Sequence, residues 1–106
     1  MALQTATKQN IETTLNNTGI IYKHSPRCGM SASRKEVLDA FLEENDVDVY
    51  LVDVLGQKDL SQYVEEKTGV KHESPQILCI KNSEVISHFS HMSITPEKLD
   101  SVVSDL

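Results

Sequence analysis

The residue in this chain best placed to do chemistry is Cys28, in the run His24-Ser25-Pro26-Arg27-Cys28-Gly29-Met30-Ser31. It follows a short β-prone stretch and opens a long helical pattern, so its sulfur is expected at a helix N-terminus. There, unpaired backbone N–H groups and about half a positive charge favour a thiolate over a thiol. Free cysteine titrates near ~8.5, and such a setting lowers that value by one to several units, which makes a nucleophile. Arg27 adds a neighbouring positive charge, and Gly29 has no side chain to obstruct an incoming sulfur or backbone. The plainer alternative is a cysteine that caps the helix or fills space.

Three positions on, where a dithiol exchanger carries its second cysteine, stands Ser31. A serine cannot form the internal disulfide that releases a bound partner, so any mixed disulfide on Cys28 must be resolved by an outside thiol. Ser31 either donates a hydrogen bond to the thiolate from the first helical turn or is an exposed helix-start serine. Pro75 is the second informative position. Only about 5 to 6% of X–Pro bonds in folded proteins are cis, so residue physics alone expects a trans proline opening a strand. His72, just before it, reaches the thiol if its loop folds over; an ordinary loop histidine is the equal alternative.

Cys79 lies in the apolar run Ile77-Leu78-Cys79-Ile80, where packing asks for a small hydrophobe and a desolvated thiol is inert. The spacing His88-x-x-His91 occurs in some zinc sites. Zinc normally takes three or four convergent ligands, however, and these two fall on a strand and in the loop after it, so no metal is expected.

Several elements must position these residues. Ile11 and Leu15 mark a short helix around Thr7 to Leu15, and Gly19 to Lys23 reads as a strand. From Gly29 to about Asn45, Val37, Leu38, Phe41 and Leu42 share one helical face. Val47 to Val54 is a second strand, which completes a βαβ unit with a parallel pair. Leu60, Tyr63 and Val64 predict a short amphipathic helix ending near Gly69. Ile77 to Ile80 and Val85 to Phe89 form a hairpin about Asn82-Ser83, and Thr95 caps a closing helix with Pro96 at its first position. Leu99, Val102, Val103 and Leu106 supply that helix with a clean apolar stripe. The predicted fold is α/β: a thioredoxin-like four-stranded mixed sheet with helices on both faces, in a single domain over residues 1–106.

Length and composition agree. A chain of 106 residues with 39% hydrophobic and 25% charged residues is an ordinary one-core globule. Net charge is −6, with no basic cluster interleaved with aromatics, which argues against nucleic acid as a partner. No apolar run reaches the ~20 residues of a membrane span or forms a signal-peptide core in the first fourteen residues, so a cytoplasmic protein without membrane attachment is expected. With two widely separated cysteines and no export signal, both are expected to be thiols at rest.

Two segments, His24 to Ser31 and Lys71-His72-Glu73-Ser74-Pro75-Gln76, resemble the YtxJ family of monothiol bacilliredoxins, and the likeness runs over nearly the whole chain. The resemblance implies reduction of mixed disulfides between proteins and bacillithiol. Cys28 would attack the bacillithiol sulfur and free the protein; a second small thiol or a reductase would regenerate it. It also implies that Pro75 is a cis-proline facing Cys28 and that the Ser74 backbone is a ledge for the bound partner. The expected site is therefore Cys28 and Ser31, with Arg27, Gly29, Met30, His72, Ser74 and Pro75 binding substrate. A low-molecular-weight thiol is the co-substrate, no other cofactor is required, the partners are S-thiolated proteins, and a monomer suffices. Cys28-Gly29-Met30-Ser31 departs from the usual Thr-Cys-Pro-Ile-Ser pattern and is similar instead to the Cys-Gly-Phe-Ser motif of monothiol glutaredoxins. That likeness implies an alternative, a carrier of a [2Fe-2S] cluster. Lys71 to Gln76 is unlike the glutaredoxin Thr-Val-Pro segment.

Overall fold

Successive side chains of the central strand, β2 (Gly19–His24), point to opposite faces and seed two separate cores. Ile20 and Tyr22 pack on one face with Leu38 and Phe41 of α2 (Gly29–Glu44) and with Leu99 and Val102 of α4 (Pro96–Asp105). Ile21 packs on the other with Ile11 of α1 (Lys8–Leu15) and Val64 of α3 (Lys58–Thr68). β3 (Asp48–Asp53) and β4 (Gln76–Lys81) flank β2, with β5 (Glu84–Ser90) beyond β4. The computed structural model describes residues 2–106, and Met1 lies outside them.

The sheet has five strands in the order β1-β3-β2-β4-β5, one more than expected from the sequence. The addition is β1 (Ala2–Thr5), an edge strand pairing parallel with Asp48 to Leu51. Ala-Leu-Gln-Thr has weak β propensity and one substantial apolar side chain, Leu3, which packs against the α2/α4 core. Its state is set by the neighbouring edge of β3, a partner that local pattern does not reveal.

Elsewhere the local signals operate as chemistry requires. Thr95 Oγ1 accepts the Lys98 N–H and Pro96 takes the first helical position. Asn82 and Ser83 adopt φ of 52° and 70°, the paired positive values that a tight two-residue hairpin needs. Gly69 ends α3 at φ 73°.

The arrangement that matters for function is the register. β2 and β3 run parallel with His24 opposite Asp53, β2 and β4 antiparallel with Lys23 opposite Gln76, and Gln76 in turn lies opposite Ser90 of β5. The end of β2, the start of β4 and the end of β5 therefore meet at one edge of the sheet. A single 3₁₀ turn (His91–Ser93) follows β5, and Arg34 Nη1 of α2 donates to the Ile94 carbonyl beyond it at 2.9 Å. Among the described residues, no helix is long and apolar enough to cross a membrane.

Leu38 is fully buried beneath the sheet. Leu38→Ala should cost about 2–5 kcal/mol in urea denaturation, whereas Ile86→Ala, at a side chain 42% exposed, should stay within about 0.5 kcal/mol.

Candidate active site

β2 ends at His24, and a four-residue turn, Ser25 to Cys28, carries the chain over to α2. The Cys28 N–H closes that turn on the Ser25 carbonyl at 3.1 Å, and the Cys28 carbonyl receives the Ala32 N–H, so Cys28 is the N-cap residue. Its backbone is extended, its side chain half-buried. The side chain makes no capping hydrogen bond. Its thiol pKa is nevertheless lowered, first by the Ser31 N–H, then by the Met30 N–H, with a smaller contribution from the Ser31 hydroxyl, against partial desolvation. These are the orphan donors of the first helical turn. Arg27, expected to help, is exposed and is not among the groups that shift the thiol, since solvent screens an exposed charge.

Ser31 is fully buried. Its Oγ accepts the Ser25 N–H at 3.3 Å, which ties the turn before Cys28 to the helix after it. Its carbonyl accepts the Tyr22 hydroxyl at 3.1 Å. The same hydroxyl lies 3.0 Å from His24 Nδ1. A carbonyl only accepts, so the single hydroxyl proton goes to Ser31 and His24 Nδ1–H donates to Tyr22 Oη. Burial raises the Tyr22 pKa and lowers that of His24, so both are neutral at physiological pH. Sequence reasoning did not select Tyr22 or His24. Their alternation with Ile21 and Lys23 was visible, but a contact to a helical turn nine residues on was not.

Across the register stands the second segment. The Ser74–Pro75 peptide is cis, as the family resemblance implied and against the trans expectation from residue physics. Pro75 is buried, and its carbonyl accepts the His91 N–H at 3.0 Å. Beside it, Glu73 Oε1 accepts the Ser90 hydroxyl and lies 3.5 Å from His91 Nδ1. The Ser90 hydrogen bond, followed by the charges of His91, Lys71 and His88, holds the Glu73 carboxyl below the usual range. His72 is exposed, yet its ring nitrogen Nδ1 reaches in to 3.0 Å from Lys23 Nζ and 3.3 Å from Ser61 Oγ. Of the residues chosen from sequence, Arg27, Gly29, Met30, Ser74 and Pro75 thus lie with Cys28 and Ser31 at this edge, whereas the His72 ring faces α3 and Lys23. Cys79 is fully buried on β4, and burial pushes its pKa up to about 12. Among the described residues, no three His, Cys, Asp or Glu side chains are grouped to hold a metal.

A cysteine of lowered pKa at a helix N-cap position and a cis-proline at the same edge of a thioredoxin-fold sheet define a thiol–disulfide oxidoreductase. The chain belongs to the monothiol bacilliredoxin family: the family profile for monothiol bacilliredoxin BrxC matches residues 2–99. A solved structure described as a candidate oxidoreductase with a thioredoxin fold is 31% identical, with a TM-score of 0.87 over 95% of this chain and 93% of that one. More distant structures share the fold alone. Mitochondrial thioredoxin 3 from Saccharomyces cerevisiae is 16% identical at a TM-score of 0.75, covering 98% of this chain and 95% of its own. The reduced Schistosoma mansoni thioredoxin pre-protein is 16% identical at a TM-score of 0.71, covering 99% and 98%.

The two thiols should separate in reactivity. Iodoacetamide labelling followed against pH should give a midpoint below the ~8.5 of free cysteine, the rate falling as pH drops through the lowered pKa. One alkyl group should enter the native chain, at Cys28, and the second, at Cys79, only in denaturant. Ser31→Ala should move the midpoint upward. A midpoint at or above that of free cysteine would contradict the site.

Proposed function

We propose that this protein reduces mixed disulfides between proteins and bacillithiol, with Cys28 as its one attacking thiolate. The Cys28 sulfur attacks the bacillithiol sulfur, the bond to the protein sulfur breaks, and the protein leaves as a thiolate that takes a proton from water. Cys28 is left in a mixed disulfide with bacillithiol. A second small thiol, or the thiolate of a reductase, then attacks that bond and restores Cys28. The observation that carries this reading is a thiolate-favouring Cys28 with no second cysteine in reach: Ser31 occupies the resolving position and Cys79 is buried within β4.

In this reading Gly29 leaves the approach to the sulfur open; no atom stands within 4 Å of where a Cβ would lie. Met30, 38% exposed, offers apolar contact, and exposed Arg27 offers its guanidinium to the small thiol. The Ser74 backbone and Pro75 form the ledge on which the partner pairs, and His72 supports that ledge from its inner side. Ser31 supports the thiolate. The protein works as a monomer in the cytoplasm, with the small thiol as its co-substrate and no other cofactor. The family match spans both the cysteine segment and Lys71 to Gln76, which favours exchange over cluster carriage.

Incubation with a bacillithiolated substrate protein should add the mass of one bacillithiol to the native chain and release the substrate thiol; Cys28→Ala should abolish both. An adduct that persists in Cys28→Ala, or none on the wild type, would refute the reading. A glutathionylated substrate run in parallel measures the preference for the small thiol.

A further inference from the structure

The cis-proline loop is held from below by a group that the exchange chemistry does not use. Lys23 is fully buried on the face of β2 that otherwise presents Ile21 to Ile11, Val64 and Leu78. Its ammonium donates to the Ser61 carbonyl at 3.1 Å and to His72 Nδ1 at 3.0 Å. An ammonium accepts nothing, so Nδ1 is the acceptor and His72 is neutral, with its proton on Nε2. Glu65 of α3 accepts the His72 N–H at 2.8 Å, and its charge is the one that favours the ammonium. Opposite Lys23 in the register, buried Gln76 donates to the Lys71 carbonyl at 3.0 Å and accepts the Glu73 N–H at 3.3 Å. Residues 71–73 are thereby tied to β2, β4 and α3, and Ser74 and Pro75 follow directly.

Stability gives no reason for a lysine at this position. Burial pulls its pKa down to about 8, the mark of an ammonium desolvated at a cost. Replacing a buried ion together with its polar partners by apolar side chains of similar volume is commonly neutral or stabilising. What an apolar chain cannot supply is the directed donor that reaches across from the sheet to the loop.

We infer that Lys23 is a positioning residue for exchange at Cys28: through His72 it holds residues 71–74 so that the Ser74 backbone keeps the place where the protein part of a mixed disulfide pairs. This rests on the function proposed above. Lys23 touches neither sulfur nor substrate. Its loss should therefore weaken recognition of a peptide chain and spare the thiol itself.

The test compares wild type, Lys23→Met, His72→Leu and the double variant on two disulfides: a peptide in mixed disulfide with bacillithiol, and dithionitrobenzoate, which carries no peptide. Lys23→Met should raise KM for the peptide substrate about tenfold with kcat within about twofold. Its reaction with dithionitrobenzoate and its alkylation midpoint should be unchanged. His72→Leu should raise the peptide KM similarly, and the double variant should be no worse than either single one. Amide exchange at His72 and Glu73 should quicken in Lys23→Met while β4 stays protected. An unchanged peptide KM, or a rise matched by slower dithionitrobenzoate reaction and a shifted midpoint, overturns the inference. If the wild type does not turn over the peptide substrate, the functional reading fails, and amide exchange decides this inference alone: unchanged protection in Lys23→Met overturns it. Should Lys23→Met not fold, His72→Leu cuts the same bond from the loop side and is judged by the same peptide KM and amide exchange.

Discussion

The antiparallel pairing of β2 with β4 brings together two segments more than fifty residues apart in the chain. Cys28 follows the last residues of β2, and Pro75 precedes the first residue of β4. With Lys23 opposite Gln76, both segments leave the sheet at the same edge. Because side chains alternate along a strand, a slip of one residue would exchange Tyr22 with Lys23 between the two faces. Tyr22 would then lose the Ser31 carbonyl, and Lys23 would lose His72 and Ser61. The site is in this sense a property of the register.

Each face of β2 thus anchors one half of the site through a buried polar side chain. On the α2 side, Tyr22 grips the first turn of the helix whose amides lower the Cys28 pKa. On the α3 side, Lys23 grips the loop that leads to Pro75. Among the described residues, no buried side-chain nitrogen or oxygen lacks a partner. This satisfaction is what makes such groups tolerable in a core, since an unpaired one costs about 1–3 kcal/mol.

The two cysteines illustrate how placement decides chemistry for one side chain. Cys28 meets N–H donors and water; Cys79, between apolar neighbours, meets neither, and its pKa rises to about 12. A thiol that remains protonated is a weak nucleophile, so exchange is confined to one sulfur and needs an outside thiol to finish.

Much of this was legible along the chain, because the signals involved are local. The strand-to-helix setting of Cys28, Ser31 in place of a second cysteine, the apolar run around Cys79 and the Thr95-Pro96 helix start each depend on neighbours within a few positions, where propensity and periodicity act. The fold class and the reactive cysteine followed from them. What only the tertiary structure decided concerns contacts between distant segments. β1 exists because β3 offers it an edge; Ser31 is buried because Tyr22 and Ser25 close over it; Arg27 leaves the thiol pKa untouched because its charge is exposed to solvent. His72, chosen as a loop residue near the thiol, turned out to face a buried lysine that no local pattern marked as more than a strand-end charge. Hydrogen bonds between segments tens of residues apart have no sequence period, and packing alone selects among the partners that chemistry permits.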